Sequence, residues 1–104
     1  EIALQYNKTG PYHRDYNSAI TAFDNFLDSF PGSVFREDAL FYKFDSAYKL
    51  AVNSVTWKQN ERTEKALKYY RSLMRYFPET KYLAQTQLMH EELQNIKNNT
   101  TTKS

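Results

Sequence analysis

The sequence lacks the residues that disulfide frameworks, β-rich folds and membrane-spanning helices require. Its 104 residues include no cysteine, which excludes both a disulfide framework and a thiolate metal site. Two glycines and three prolines are too few for the many turns of a β-sandwich. No run of about 18 apolar residues occurs, so no segment is apolar over the length needed to cross a bilayer.

The charge of the chain is nearly balanced. Fourteen basic and twelve acidic side chains give a net charge of +2, which is too small to indicate binding of nucleic acid. Hydrophobic residues make up 40% of the chain and aromatic residues 16%, so a small domain can form a core. These proportions are typical of a globular protein.

Residues that could carry out catalysis are scarce. The two histidines, His13 and His90, lie far apart in the sequence. Glu91 and Glu92 adjoin His90 and could suggest a metal ligand set, but an exposed polar helix face is the simpler interpretation. There is no glycine-rich phosphate loop, nucleophile elbow or supported carboxylate pair. We therefore expect no catalytic residues, no metal site and no cofactor, and not an enzyme.

An internal repeat organises the chain. Residues 19–35 and 66–82 align without a gap at a spacing of 47 residues. Ala19 corresponds to Ala66, and the Phe-Pro pair at residues 30–31 corresponds to that at residues 77–78. The matching positions are mainly the apolar ones and the proline, which indicates a repeated structural unit.

The apolar residues of each copy have helical spacing. In the first copy they recur at steps of 4, 3 and 4 residues, in Ala19, Phe23, Phe26 and Phe30. Each helix ends before a proline, because the residue that precedes proline is disfavoured in the α conformation. Ser33 and Thr80 then occupy the expected N-cap positions of the next helices. The predicted unit is a helix, a proline turn and a second helix.

These patterns predict an all-α fold built from antiparallel helix pairs. The expected helices are residues 1–8, 15–30, 34–53, 61–77 and 81–97. Residues 1–97 form one helical domain in this prediction, and the polar residues 98–104 form a disordered tail. Because residues 1–8 resemble the end of a helix, we expect this domain to be a fragment whose upstream repeats are missing.

A candidate docking surface follows from charge and aromatic content. On the predicted helix 61–77, pairs four residues apart match Glu61 with Lys65 and Glu64 with Lys68, which leaves arginines in excess. Tyrosine, tryptophan and arginine are typical of interface hot spots. The candidate partner-binding residues are Trp57, Arg62, Arg71, Arg75 and Tyr76. The alternatives are a solvated charged face for the arginines and packing at a helix joint for Trp57.

The chain resembles a known family. The pattern A-x-x-x-[FY]-x-x-[FL]-x-x-x-[FY]-P resembles the second helix of a tetratricopeptide (TPR) repeat, although the spacing of 47 exceeds the usual repeat of about 34 residues. The more specific segments are YNKTG, AITAFDNFLDSFPGSVFREDAL, the joint NSV-x-x-K-x-x-E-R and FPETKYLAQ. Over residues 3–97 they resemble the C-terminal half of the BamD family of outer-membrane assembly lipoproteins, in the form found in Bacteroidetes. Residues 11–14 are an insertion relative to that family.

The resemblance implies a TPR-like α-solenoid with a C-terminal capping helix. It further implies a scaffold of the β-barrel assembly machinery at the periplasmic face of the bacterial outer membrane, lipid-anchored through a segment outside this sequence. The implied partners are the POTRA domains of the outer-membrane insertase and accessory lipoproteins, and the implied role supports folding and insertion of barrel proteins. We expect a monomer in isolation, no nucleic-acid partner and no membrane contact beyond the anchor.

The helical repeat is also typical of a second kind of binding protein. A generic TPR adaptor would bind a partner peptide in its concave groove, because a helix pair of this size cannot bury both of its faces alone. An upstream signal peptide with a lipobox cysteine would favour the assembly lipoprotein, and its absence would favour the adaptor.

Overall fold

Four helices make up most of the part of the chain that the computed structural model describes, residues 15–54 and 56–103. They are α1 (Tyr16–Ser29), α2 (Arg36–Val52), α3 (Thr56–Tyr76) and α4 (Leu83–Lys103). No strand occurs in these ranges, so the predicted all-α class is confirmed. The predicted helix at residues 1–8 lies outside the described residues.

The predicted repeat is present in the hydrogen bonds of the turns. The Phe30 N–H donates to the Phe26 carbonyl at 2.8 Å, and the Phe77 N–H donates to the Leu73 carbonyl at 2.8 Å. Three further backbone bonds around each proline turn recur at the same spacing of 47 residues. We call α1 and α2 with their turn unit 1, and α3 and α4 with their turn unit 2.

The hydroxyls predicted as N-caps lie in the turns that precede α2 and α4 and not at the N-cap positions of these helices. Ser33 Oγ accepts a hydrogen bond from the Phe35 N–H at 3.0 Å, and Thr80 Oγ1 accepts one from the Tyr82 N–H at 3.3 Å. Because α2 and α4 begin three residues after these hydroxyls, the bonds stabilise the turn that leads into each helix.

Helix α3 begins five residues before the predicted start at residue 61. The Gln59 side chain donates to the Ala51 carbonyl at 3.2 Å, and Arg62 Nη1 donates to Ser54 Oγ at 2.6 Å. These bonds attach the first turns of α3 to the end of α2. The residues concerned are polar, so apolar spacing could not reveal them.

Helix α4 continues through most of the segment that was predicted to be a disordered tail. It ends at Lys103, six residues beyond the predicted end of the helix at residue 97. That segment contains neither glycine nor proline, so no residue there interrupts the ladder of backbone hydrogen bonds. Polar composition alone was a poor guide to the end of the helix.

The core lies along α2, which packs against the other three helices. One cluster joins all four helices, with Phe44, Leu67 and Leu93 almost inaccessible to solvent. A second cluster joins Leu40 and Phe41 of α2 to Leu73 of α3. The predicted apolar stripe of α1 is less buried than that of α3.

Candidate functional site

Most of the predicted docking residues lie on one face of α3. Successive residues of an α-helix are rotated by about 100°, so Trp57 and Arg75, about five turns apart, point in the same direction. Arg71 lies about 40° from that direction on the same helix, whereas Arg62 lies about 140° from it. The predicted docking residues therefore do not all lie on the same face of α3.

Residues of α1, α2 and α3 line an open groove of about 540 Å³ beside this face. We call it the basic groove. Three of the predicted residues, Arg71, Arg75 and Tyr76, line it. The other residues of its lining are Asp24, Lys43, Lys68, Tyr69 and Ser72.

Positive charge exceeds negative charge in the basic groove. The Lys43 ammonium forms an ion pair with the Asp24 carboxylate at 2.5 Å, so these two charges compensate each other. Lys68 was expected to pair with Glu64, but Glu64 pairs instead with Lys97 of α4 at 3.0 Å. Within the described residues no ion pair involves Lys68, Arg71 or Arg75.

Two tyrosines that line the groove form cation–π contacts with basic side chains. The Lys43 ammonium lies 4.1 Å from the ring centre of Tyr69, and burial raises the pKa of that tyrosine. The Arg36 guanidinium lies 4.3 Å from the ring centre of Tyr76, and that of Arg75 lies 5.7 Å from it. Such cation–π contacts restrict the orientations of the two rings. Tyr76 remains 48% exposed.

Arg62 and Trp57 are not part of the basic groove. Arg62 is half-buried, and its guanidinium donates a hydrogen bond to Ser54 Oγ at the joint of α2 and α3. Trp57 is 77% exposed, which argues against packing at the joint, and the Lys58 ammonium lies 4.9 Å from its ring centre. It lies about 21 Å along α3 from Arg71.

Sequence reasoning missed the contributions of α1 and α2 to this surface. Asp24 and Lys43 were not among the predicted docking residues, and only the fold brings them beside Arg71. Tyr69 did carry a signal, because it falls off the apolar stripe of its helix.

His90 is not on an exposed polar face, contrary to the sequence interpretation. Its ring is half-buried and stacks on Tyr70, with ring centres 3.9 Å apart and planes 11° from parallel. Burial lowers the pKa of His90. Within the described ranges, no group of three His, Asp or Glu side chains could hold a metal ion, and no helix could cross a membrane.

A comparison with known families identifies the relationship. Residues 5–100 match the family described as YfiO, outer membrane lipoprotein. The chain belongs to this family. The match covers both units, and it confirms the resemblance to the BamD-like lipoproteins at the level of the family. No curated protein and no solved structure matches the chain. Family membership associates the chain with the outer membrane and is consistent with a role in outer membrane assembly.

Proposed function

We propose that this chain is a protein-docking module of the outer-membrane β-barrel assembly machinery, not an enzyme. In this proposal the two units belong to a TPR-like α-solenoid of the Bacteroidetes type. It is held at the periplasmic face of the outer membrane by a lipid anchor outside this sequence, and it supports the folding and insertion of barrel proteins. Membership of a family of outer membrane lipoproteins supports this location.

The basic groove is the observation that carries the proposed docking role. Lys68, Arg71 and Arg75 present uncompensated positive charge next to two tyrosines. The planar guanidinium of arginine binds carboxylates in a bidentate manner and stacks on rings, and tyrosine is enriched at interfaces. These features favour an acidic protein surface as the partner.

The proposed partner is the POTRA segment of the outer-membrane insertase, with accessory lipoproteins as further partners. An acidic patch on a folded POTRA domain would approach the open groove without a change in the helices. Electrostatic attraction would accelerate the encounter and orient the two proteins, and it would weaken as salt screens the charges.

Charge reversal in the groove tests this function. We expect Arg71→Glu with Arg75→Glu to weaken binding to the purified POTRA segment by well over tenfold, because like charges would then face each other. The helix content and unfolding midpoint should barely change, since exposed charges contribute little to stability. Isothermal titration calorimetry measures the affinity, and circular dichroism and urea melts establish that the variant is folded.

A matched variant separates a local effect from one of total charge. Lys65→Glu with Lys97→Glu produces the same change in net charge at positions that do not line the groove. We expect this variant to retain most of the affinity. Full affinity of the folded groove variant for the POTRA segment would exclude the basic groove as the docking site, in which case Tyr42 and Lys49 of α2 would be the next residues to change.

A further inference from the structure

The basic groove already contains a carboxylate of its own. Among the described residues that line it, four are basic and only Asp24 is acidic. The Asp24 carboxylate lies 2.5 Å from the Lys43 ammonium, and the same ammonium lies over the ring of Tyr69. In the free protein Asp24 therefore occupies a cation that would otherwise be open to a carboxylate of the docking partner.

The two members of this ion pair differ in their exposure to solvent. The Asp24 side chain is 43% exposed, whereas that of Lys43 is only 15% exposed. A partly hydrated carboxylate can leave an ion pair at small cost, because water replaces much of the lost attraction. Lys43 keeps its position, because its side chain is largely enclosed and its ammonium also contacts Tyr69. The pair can therefore exchange one carboxylate for another at a fixed cation.

The internal repeat shows that this ion pair is not a general feature of the helix pairs. At the spacing of 47 residues Asp24 corresponds to Arg71, and Lys43 corresponds to His90. Unit 2 thus has two basic residue types where unit 1 has an acid and a base. Asp24 and Arg71 occupy equivalent positions with opposite charges, and both line the basic groove.

Apolar contacts join α1 to α2 beside the ion pair. Ile20 of α1 belongs to the same buried cluster as Phe44 of α2. The rings of Phe23 and Tyr42 stack with their centres 6.2 Å apart. An asparagine in place of Asp24 would keep an oxygen that can accept a hydrogen bond from a lysine ammonium. The charge of Asp24 can therefore be removed while the helices remain packed.

We propose that Asp24 is an internal competitor for the carboxylates of the docking partner. In the free protein it occupies Lys43, and on docking a carboxylate of the partner takes its place while Asp24 turns toward solvent. This proposal rests on the proposed docking function of the basic groove. Asp24 lowers the affinity of the groove, and Lys43 is the cation at which the exchange takes place.

The competitor makes the groove selective for strongly acidic surfaces. An isolated carboxylate does not displace Asp24, because one ion pair would be exchanged for another without a gain. Several closely spaced carboxylates also bind the three uncompensated cations of the groove, and this added attraction offsets the loss of the internal pair. A carboxylate that approaches Asp24 without reaching Lys43 is repelled.

Isothermal titration calorimetry with the purified POTRA segment tests the competitor. We expect Asp24→Asn to strengthen binding by at least about threefold, because Lys43 is then free for the partner. Glu91→Gln is the matched control, because it produces the same change in net charge at an exposed position of α4 that does not line the groove. It should leave the affinity within error. An Asp24→Asn variant that is folded by circular dichroism but binds no more tightly than the control would overturn the proposal.

Two double variants show whether the effect passes through Lys43. Asp24→Asn with Lys43→Gln should lose the gain in affinity, because the freed ammonium is absent. Asp24→Asn with Lys65→Gln has the same net charge but retains Lys43, and Lys65 does not line the groove. This second variant should keep most of the gain. If the two double variants bind equally tightly, the exchange at Lys43 is wrong.

Poly-L-glutamate separates the competitor from the proposed function. If the POTRA segment does not bind the unmodified chain, the proposed function fails, but the groove can still be titrated with this polymer. Asp24→Asn should bind the polymer more tightly than both the unmodified chain and Glu91→Gln. Equal affinities of the three proteins, or no binding by any of them, would overturn the competitor as well.

Discussion

Two residues at equivalent positions of the repeat differ in burial. The apolar spacing of the second repeat copy, Ala66, Tyr70, Leu73 and Phe77, predicts that Leu73 is buried, and it is inaccessible to solvent. Phe26 was expected to be buried to the same extent, but it is only half-buried and lines the apolar surface of unit 1. The sequence identified both as inward-facing residues, but it could not show that only unit 2 is covered by a neighbouring helix.

This difference predicts unequal effects of truncation. Leu73→Ala should lower the free energy of unfolding by about 2–5 kcal/mol, because it leaves a cavity in the core. Phe26→Ala should cost less, although more atoms are removed, because part of its ring already contacts water. Urea unfolding of the 104-residue chain measures both. A loss below about 1 kcal/mol for Leu73→Ala, or a larger loss for Phe26→Ala, would contradict the assigned burial.

His90 should make the stability of the chain sensitive to mild acid. Its pKa is lowered in the folded state by burial, so the unfolded chain binds a proton more readily. The free energy of unfolding should therefore fall as the pH drops through the unfolded pKa of about 6.5, and level off below the folded pKa.

Urea midpoints between about pH 5 and pH 7.5 measure this effect. His90→Phe retains an aromatic ring against Tyr70 but cannot be protonated, so the midpoint of this variant should vary less with pH in that range. If the two proteins show the same pH dependence, His90 is not the group responsible.

At the scale of secondary structure, apolar spacing and proline predicted where α1, α2 and the end of α3 lie. The spacing repeated in both units, and each proline ended a helix for a local steric reason. The start of α3 was not predicted, because polar side chains bond it to the end of α2. The end of α4 was not predicted, because no residue there interrupts the ladder of backbone hydrogen bonds.

The carboxylates that join α2 to the turn of unit 2 give a test at this scale. The hydrogen bond from the Thr80 hydroxyl lowers the pKa of Glu37, and that from the Tyr82 hydroxyl lowers the pKa of Asp38. Because these pKa values are depressed on folding, the stabilisation is present above the unfolded values. It should be lost as the pH falls below about 4.

Glu37→Gln should accordingly reduce the free energy of unfolding at neutral pH by about 1 kcal/mol, since charge-assisted hydrogen bonds become neutral ones. It should also reduce the acid sensitivity in urea melts. Glu79→Gln is the control, because Glu79 is an exposed carboxylate in the same turn. Equal effects of the two substitutions would show that the position of Glu37 in the contact is unimportant.

At the scale of the whole molecule, three surfaces have different characters. Unit 1 presents an apolar surface, α4 presents a mainly polar outer face, and α1, α2 and α3 enclose the basic groove. Sequence reasoning found Arg71 and Arg75 of the basic groove but also included Arg62 and Trp57, which do not line it. It could not find Asp24 or Lys43, because their proximity to Arg71 depends on how the helices pack.

The central claim is that the basic groove docks an acidic protein surface, and nuclear magnetic resonance can map the contact directly. The labelled 104-residue chain is titrated with the unlabelled POTRA segment at about 0.05 M salt, where screening is weak. We predict that the largest amide shifts occur at groove residues such as Lys43, Arg71 and Tyr76, and that they diminish at about 0.5 M salt. Shifts confined to Phe35 or Leu88, or shifts that salt leaves unchanged, would contradict the account.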